Sequence, residues 1–353
     1  MRCKLVLAVL FFAVFSAIAV TGPSQAAVFS VTTTSDSDCS DFDCDLQSSL
    51  TAAQGNSEDN TINVAAGTYD VSSGTLTYAS SEAFDLEIRG AHADTTILDG
   101  NFANRIMDIT LTADGSITIR DLTFQNAINI GLYGFAYTGV TIEDSKFINN
   151  TQDFDGIFVL DSGGAAFIGA ERVTLKNNLF QGNNGGDNPG GVRIQGGLVK
   201  NLKIDDNVFV DNFGSYGAIE IRQVRSAKIV LTNNIIAGNT CSAAFGCIAG
   251  ASIRVFGSAG FGSTVTLTNN TIVKNKAFKE LSIGGVAVGA SGGVENIINI
   301  YNNIAWGNED STYPPRVTDM AIADDENFNN VGATVNLFNN KVLDSFVWVK
   351  ILC

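Results

Sequence analysis

The sequence predicts an all-β fold, a parallel β-helix solenoid of roughly ten coils, from three observations. An eleven-residue unit occurs eight times, its residues alternate as in a β-strand, and a polar corner recurs at the same offset. The clearest copies read VTLKNNLFQGN from Val173 and VTLTNNTIVKN from Val265. Successive copies begin 23 to 37 residues apart and show no helical period, so each copy fits one coil. The other copies begin at Ile117, Val140, Leu202, Ile229, Ile298 and Val335.

Each copy begins with a strand. Its first and third residues are Val, Ile or Leu, and its second residue, usually Thr, Lys or Asn, faces the other way. The eighth position is apolar in every copy. A single coil cannot bury this apolar face, so we expect the coils to stack around one core. The eighth residues are Phe124, Phe147, Phe180, Phe209, Ile236, Ile272, Ala305 and Val342.

A polar corner follows the strand, with Asp or Asn at the fifth position and mostly Asn at the sixth. Asparagine tolerates the left-handed backbone of a sharp bend, and its amide can bond to the same amide one coil away. Stacked coils would therefore form an asparagine ladder. Neither a β-sandwich nor a propeller, the alternative folds, requires such a corner in every unit. The predicted ladder consists of Asn178, Asn207, Asn234, Asn270, Asn303 and Asn340.

Glycine-led segments between the copies predict a further strand in each coil, because glycine permits a tight entry turn. They are GGAAFI from Gly163, GGVRI from Gly190, YGAIEI from Tyr216 and GGVAV from Gly284. GGAAF followed by VTLKNNLFQGN resembles the GGAI and FxxN repeats of the chlamydial polymorphic outer-membrane protein family. More broadly, the pattern resembles the right-handed parallel β-helix, pectin-lyase-like superfamily. The likeness covers about residues 60 to 345 and implies an architecture, not a chemistry.

The chain divides into four predicted segments. Residues 1–27 have a basic start, an apolar run and small residues before Ala27, which predicts a secretory signal peptide; an uncleaved membrane anchor is the alternative. Residues 28–59 are predicted to form a cap, because Leu46, Leu50 and Ala53 have helical spacing. Residues 60–345 form the β-helix. The tail, residues 346–353, is apolar. We expect either that it folds over the last coil as a cap or, as the favoured alternative, that this sequence is a truncated part of a longer protein.

The cysteines predict two local disulfides in an exported chain, Cys39 with Cys44 and Cys241 with Cys247. Cys353 is left without a predicted role. The chain has one histidine, His92, so a zinc site is not expected. No cofactor is predicted, and no motif requires calcium.

Composition restricts the partners. The formal net charge is −15, which disfavours nucleic acid and also acidic polysaccharide unless a cation bridges the charges. The charged fraction is only 16%, so the outer faces should be mainly neutral and polar. We therefore expect an extracellular polysaccharide or a cell-surface glycan as partner, no membrane span in the mature chain, and a monomer.

The resemblance raises the question of catalysis, since the superfamily includes polysaccharide lyases and glycoside hydrolases. The Gly-His-Gly motif of polygalacturonase-like enzymes is absent from the sequence, and their Arg-x-Lys motif is absent from the predicted β-helix, residues 60–345. Asp205 and Asp206 imitate their acidic pair, but Asp206 falls on the repeating corner. Pectate-lyase-like enzymes place a basic residue beside calcium-binding aspartates, and three arginines on the central coils are candidates without a distinguishing spacing. These are Arg193, Arg222 and Arg225.

Three further groups are candidates for binding. Gly185-Gly186-Asp187-Asn188 is similar to one calcium-binding nonapeptide repeat, but a single copy favours a loop turn. Asp324-Asp325-Glu326 is an acidic loop that could hold calcium or stay solvated. Several aromatic residues between the second and third copies predict either a sugar-stacking face or a loop packed on the rod. They are Tyr133, Phe135, Tyr137, Phe154 and Phe158.

The sequence thus predicts a secreted or cell-surface β-helix protein with an adhesin-like or glycan-binding structural role, and its catalytic residues are unknown. The first alternative is a polysaccharide lyase or glycoside hydrolase acting along the central coils. The second is a passenger domain of an exported surface protein.

Overall fold

The molecule is a rod of stacked coils in which three long parallel sheets run side by side. The structure, a computed structural model, describes residues 26–32, 45–152, 166–196, 198–242, 247–256, 262–278, 282–291, 296–311, 316–324, 333–342 and 345–348. Each coil contributes one strand to each sheet, and every strand pairs in parallel with its counterpart in the next coil. The predicted all-β parallel solenoid is confirmed.

Sheet A has eleven strands and contains the first strand of every eleven-residue copy. They are β1 (Ala27–Val31), β2 (Asn60–Val64), β5 (Leu86–Gly90), β8 (Ser116–Arg120), β11 (Gly139–Glu143), β14 (Arg172–Lys176), β17 (Asn201–Asp205), β20 (Lys228–Thr232), β24 (Thr264–Thr268), β28 (Asn296–Tyr301) and β31 (Ala333–Phe338).

Sheet B has ten short strands and contains the eighth position of every copy. They are β3 (Gly67–Asp70), β6 (Thr96–Asp99), β9 (Thr123–Gln125), β12 (Lys146–Ile148), β15 (Leu179–Gln181), β18 (Val208–Val210), β21 (Ile235–Ala237), β25 (Thr271–Val273), β29 (Ile304–Trp306) and β32 (Lys341–Val342).

Sheet C has ten strands and contains the glycine-led segments. They are β4 (Leu76–Ser80), β7 (Met107–Leu111), β10 (Leu132–Ala136), β13 (Ala166–Gly169), β16 (Val192–Gln195), β19 (Ile219–Arg225), β23 (Ala251–Phe256), β27 (Val286–Ser291), β30 (Met320–Asp324) and β33 (Ser345–Trp348). A two-stranded sheet D pairs β22 (Thr240–Cys241) with β26 (Lys276–Ala277).

The core lies between the three sheets and repeats from coil to coil. The first and third residues of each copy point inward, as Val173 and Leu175 do with at most 1% exposure. At the eighth position, phenylalanine rings stack face to face over four coils, with centroids 5.0, 4.8 and 4.6 Å apart. This spacing equals the distance between neighbouring strands, so identical rings meet in register.

The rod begins with a strand and a helix. Helix α1 (Leu46–Ala53) starts at the N-cap Asp45, whose side chain accepts a hydrogen bond from Ser48 N at 2.6 Å. Its residues Leu46, Leu50 and Ala53 are buried against the first coil. Strand β1 begins at the last residue of the predicted signal peptide and runs into the segment predicted as a cap, yet it pairs with β2 in sheet A. The sheet therefore begins before residue 60.

At the corner of each copy, two neighbouring residues have different roles. The fifth residue takes a left-handed backbone, with φ between 51° and 60° in all eight copies, while the sixth forms the ladder. A second left-handed corner falls at the tenth residue, with φ between 53° and 66° in seven copies. The fifth residues are Asp121, Asp144, Asn177, Asp206, Asn233, Asn269, Asn302 and Asn339, and the tenth are Asn126, Asn149, Gly182, Asp211, Gly238, Lys274 and Gly307.

Candidate functional site

The asparagines at the sixth position form one continuous line of hydrogen bonds between coils. The backbone N–H and Nδ2 of Asn178 both donate to Asn207 Oδ1, at 2.9 and 3.0 Å, and Nδ2 also donates to Ile142 O at 2.8 Å. The same three bonds recur along the line, and each amide thereby joins three coils. The line continues through Asn207, Asn234, Asn270, Asn303 and Asn340.

A second line, at the eleventh position, was not predicted from the sequence. Asn183 donates from its backbone N–H and Nδ2 to Asn212 Oδ1, at 3.1 and 2.9 Å. The line ends at the buried Asp319, whose Oδ1 accepts the equivalent two bonds from Asn308 at 2.9 and 2.8 Å. The sequence feature that could have predicted this second line is the asparagine at the last position of the eleven-residue unit. The members are Asn150, Asn183, Asn212, Asn239, Asn275 and Asn308.

These lines fix the register in which sheet C presents its outer face. Outward residues of consecutive strands form rows along the rod, and neighbours within a row are about 4.8 Å apart. One row contains Tyr133, Arg193, Glu220 and Ser252, and the next contains Phe135, Gln195 and Arg222. The structure therefore brings two of the candidate arginines and two of the candidate aromatic residues onto one face. We call these seven residues the sheet C face.

A buried ion pair lies at the centre of the sheet C face. Arg193 and Glu220 are 1% and 0% exposed, and both Nε and Nη2 of Arg193 lie 2.7 Å from Glu220 Oε2. Removing charged groups from water is costly, so a buried pair on the outer side of a sheet is weak support for stability alone.

Three buried polar atoms on this face have no hydrogen-bond partner among the described residues: Gln195 Oε1, Glu220 Oε1 and Ser252 Oγ. They belong to three consecutive strands, and Glu220 and Ser252 are direct neighbours in the register. Native structures rarely leave such atoms unsatisfied. Two of the three can only accept, so the groups that satisfy them must be donors, such as hydroxyls.

Aromatic rings and guanidinium groups frame the ion pair. Phe135 packs edge to face with Tyr137 at 5.7 Å between ring centroids, and Gly169 leaves room for the Phe135 ring, since a Cβ there would lie 3.1 Å from Phe135 Cδ2. At the other end, Arg254 lies over the Tyr216 ring at 5.6 Å. Tyr137 is 43% exposed, so this frame is open to solvent.

The other candidate residues lie elsewhere or belong to structural features. Arg225 ends strand β19 and is exposed. Asp205 pairs with Lys203 at 2.8 Å on sheet A, and Asp206 is an exposed left-handed corner. In the Gly185–Asn188 loop, Asn188 N donates to Gly185 O at 2.8 Å, as in a turn. Asp324 ends strand β30; Phe154, Phe158, Asp325 and Glu326 lie outside the described residues.

A disulfide joins Cys241 to Cys247 beside the rod, with 6.0 Å between their Cα atoms. Together with Ala249 and Ala277 they form a small apolar cluster under sheet D. Cys39, Cys44 and Cys353 lie outside the described residues, as do residues 1–25 of the predicted signal peptide.

Among the residues that the structure describes, no group of three or more His, Cys, Asp or Glu side chains is arranged to hold a metal ion. The two carboxylates among the described outward side chains of sheet C are Asp108 and Glu220, four coils or about 19 Å apart. Glycosidases separate their two carboxyl groups by about 5 to 9.5 Å. Among the same described residues, no helix is long and apolar enough to cross a membrane.

Comparison with known proteins identifies the family of the fold. A family model described as "Right handed beta helix region" matches residues 108–305, more than half of the chain. The chain belongs to the right-handed β-helix family. A crystal structure of pectate lyase Pel9A is similar to this β-helix protein at 13% sequence identity and a TM-score of 0.34, covering 93% of this chain and 80% of that one. No curated protein matches the chain. The chlamydial resemblance stays a prediction.

Proposed function

We propose that this β-helix protein is a secreted or cell-surface, glycan-binding structural protein, adhesin-like in its role, and that it binds a neutral glycan along the sheet C face. The observation that carries the proposal is the buried Arg193–Glu220 pair with an unpartnered carboxylate oxygen, framed by accessible aromatic rings. Ligand sites combine aromatic surface with a few placed polar groups in this way.

The size and charge of the face support an oligosaccharide as ligand. From Tyr133 to Ser252 the face crosses four intervals between coils, about 19 Å, which is long enough for several sugar units. Tyr133, Phe135, Gln195 and Arg222 are partly exposed, so the rings can stack on sugars and the amide and guanidinium can bond to sugar hydroxyls. The net charge of −15 disfavours a polyanionic glycan. The apolar run and the small residues before Ala27 support export.

The test is a binding screen of the protein against immobilised neutral, amino and acidic glycans, followed by titration of the best ligand. Tyr133→Ala and Arg222→Ala should each weaken binding about tenfold, since a lost ring contact or hydrogen bond is worth about 1.4 kcal/mol. Arg172→Ala is the matched control, because Arg172 is an exposed arginine on sheet A.

Two results would overturn the proposal. One is the absence of binding to every glycan class by folded protein, and the other is binding that neither substitution on the sheet C face weakens. The same incubations, with and without calcium, should release no unsaturated or reducing-end products. Such products would favour the lyase or hydrolase alternative.

A further inference from the structure

The outer face of sheet B is uncharged and mainly apolar over five consecutive coils. Its outward side chains form two rows between strands β15 and β29, and none of the ten is charged. Ile235, Ile304 and Trp306 are the most exposed apolar members, at 44%, 43% and 43%. We call this surface the sheet B strip. The rows are Leu179, Val208, Ile235, Thr271 and Ile304, and Gln181, Val210, Ala237, Val273 and Trp306.

Polar rims border the sheet B strip on both sides. One rim consists of the exposed fifth-position corners, such as Asn233 and Asn269, and the other of the tenth-position corners, including Asp211 and Lys274. An exposed apolar patch with a polar rim is typical of an interaction surface. Although the chain has a net charge of −15, two copies can pack through this uncharged surface with little charge repulsion.

We propose that the sheet B strip is the interface of a homodimer in which two rods pack face to face and antiparallel. A flat row of side chains that repeats every 4.8 Å or so is matched over its full length only by a surface with the same repeat. A second copy of this chain has that repeat. This proposal differs from the monomer expected from the sequence.

Charge on the rim selects the antiparallel arrangement. A two-fold axis parallel to strand β21 places Ile235 opposite Ile235 of the second copy. The coil that contains Val208 in either copy then lies opposite the coil that contains Thr271 in the other. Asp211 and Lys274 occupy the same corner position in those two coils. They would therefore meet as two opposite-charge pairs, whereas a parallel arrangement brings Asp211 against Asp206, a like charge.

The size of the sheet B strip sets the strength of the dimer. Five coils span about 24 Å, and the strand with its two rims is about 20 Å wide, so each copy contributes on the order of 500 Å². The total of about 1,000 Å² is at the lower limit for a specific interface. We therefore expect a reversible dimer with a dissociation constant in the micromolar range.

The first experiment measures the mass of the full chain in solution by analytical ultracentrifugation over a wide range of concentrations. Wild-type protein should form a dimer, and Ile235→Glu should raise the dissociation constant at least 100-fold because two carboxylates meet at the axis. Val230→Glu is the matched control: Val230 is an outward aliphatic residue in the same coil, on sheet A. It should dimerise like the wild type.

A charge exchange tests the arrangement itself. Asp211→Lys and Lys274→Asp should each weaken the dimer at least tenfold, and the double variant should restore it. Both positions are left-handed corners, so each accepts the other's residue without new backbone strain. In addition, Ile235→Cys should be cross-linked by a short bis-maleimide, and Val230→Cys should not.

Three outcomes would overturn the inference. A wild-type chain that stays monomeric up to about millimolar concentration has no such interface. A dimer that Ile235→Glu leaves intact, with the fold confirmed by circular dichroism, is formed elsewhere. A double charge variant that stays dissociated contradicts the antiparallel pairing. None of these measurements involves a glycan, so they fail or succeed independently of the proposed function.

Discussion

At the scale of the single residue, each buried ladder asparagine is an irreplaceable hydrogen-bonding group. Asn234 Oδ1 accepts from Asn207 N and Nδ2, at 3.0 and 3.1 Å, while its own Nδ2 donates to Ile204 O and Asn270 Oδ1, both at 2.9 Å. A carboxylate could accept but not donate, which explains why Asp319 stands at the end of its line. Inside the line, each side chain must both accept and donate hydrogen bonds.

Replacing Asn234 by glycine should therefore be costly. Asn234→Gly leaves Asn207 N and Ile204 O in the neighbouring coil without these partners. Each unsatisfied buried group costs about 1 to 3 kcal/mol, so we expect a loss of about 3 kcal/mol or more in the free energy of unfolding. Asn233→Gly is the control, because Asn233 is exposed and has φ 57°, which glycine tolerates. Urea unfolding of both variants measures the difference. Equal losses would contradict a structural role for the amide.

Glu87 gives a pH-dependent counterpart on sheet A. Its Oε1 accepts from Arg120 Nε at 2.7 Å and Arg89 Nη2 at 3.0 Å. Partial burial opposes ionisation, but the hydrogen bonds and charges of Arg89 and Arg120 outweigh it and lower the pKa of Glu87. Folding thus favours the ionised form. The contribution of this cluster is present above pH 4.3 or so, the usual glutamate pKa, and disappears as pH falls through the lower folded-state pKa.

The corresponding variant is Glu87→Gln. It should lower the unfolding free energy by about 1 kcal/mol at neutral pH, the size typical of a partly exposed charge network, and should flatten the loss of stability below pH 4.3. Urea unfolding between neutral pH and pH 3 measures both. Glu171→Gln, at an exposed position, is the control. A wild-type and a Glu87→Gln curve that fall in parallel would show that the cluster contributes nothing.

At the scale of the element, the sequence identifies strands well where the same side-chain pattern recurs in each coil. The first strand of every copy, the phenylalanine stack and the helix with Leu46 and Leu50 were all visible as periodicity. Strand β1 was not, because AVFSV lies outside the repeated units and begins at the last residue of the predicted signal peptide.

The site was only partly predictable for a different reason. Glu220 lies in a sheet C strand, outside the eleven-residue unit, and loops of unequal length separate it from Arg193. Their meeting depends on the register across coils, which only the closed structure gives. The second ladder could have been predicted, since Asn183 and Asn212 end successive copies. The sequence alone, however, does not show that the coil turns at this asparagine, and the turn is what aligns the amides.

At the scale of the whole molecule, the two ends of the rod differ. Leu50 of α1 is fully buried on the first coil, whereas Leu337 of strand β31, an inward position, is 41% exposed. In a solenoid each coil contacts only its neighbours, so stability is passed along the stack and a coil that loses its cover opens first.

This difference predicts how a defect in the cap spreads. Leu50→Asp places a charge in the core contact of α1, so amide hydrogen exchange should rise at least tenfold in β1, β2 and β4, which the helix contacts, while β17 and β20 in the centre keep their protection. Ala52→Asp adds the same charge to the exposed side of the helix and should change nothing. Mass spectrometry of exchanged peptides measures all of these strands. A uniform rise along the rod would mean that the coils open as one cooperative unit, and the nearest-neighbour description would then be wrong.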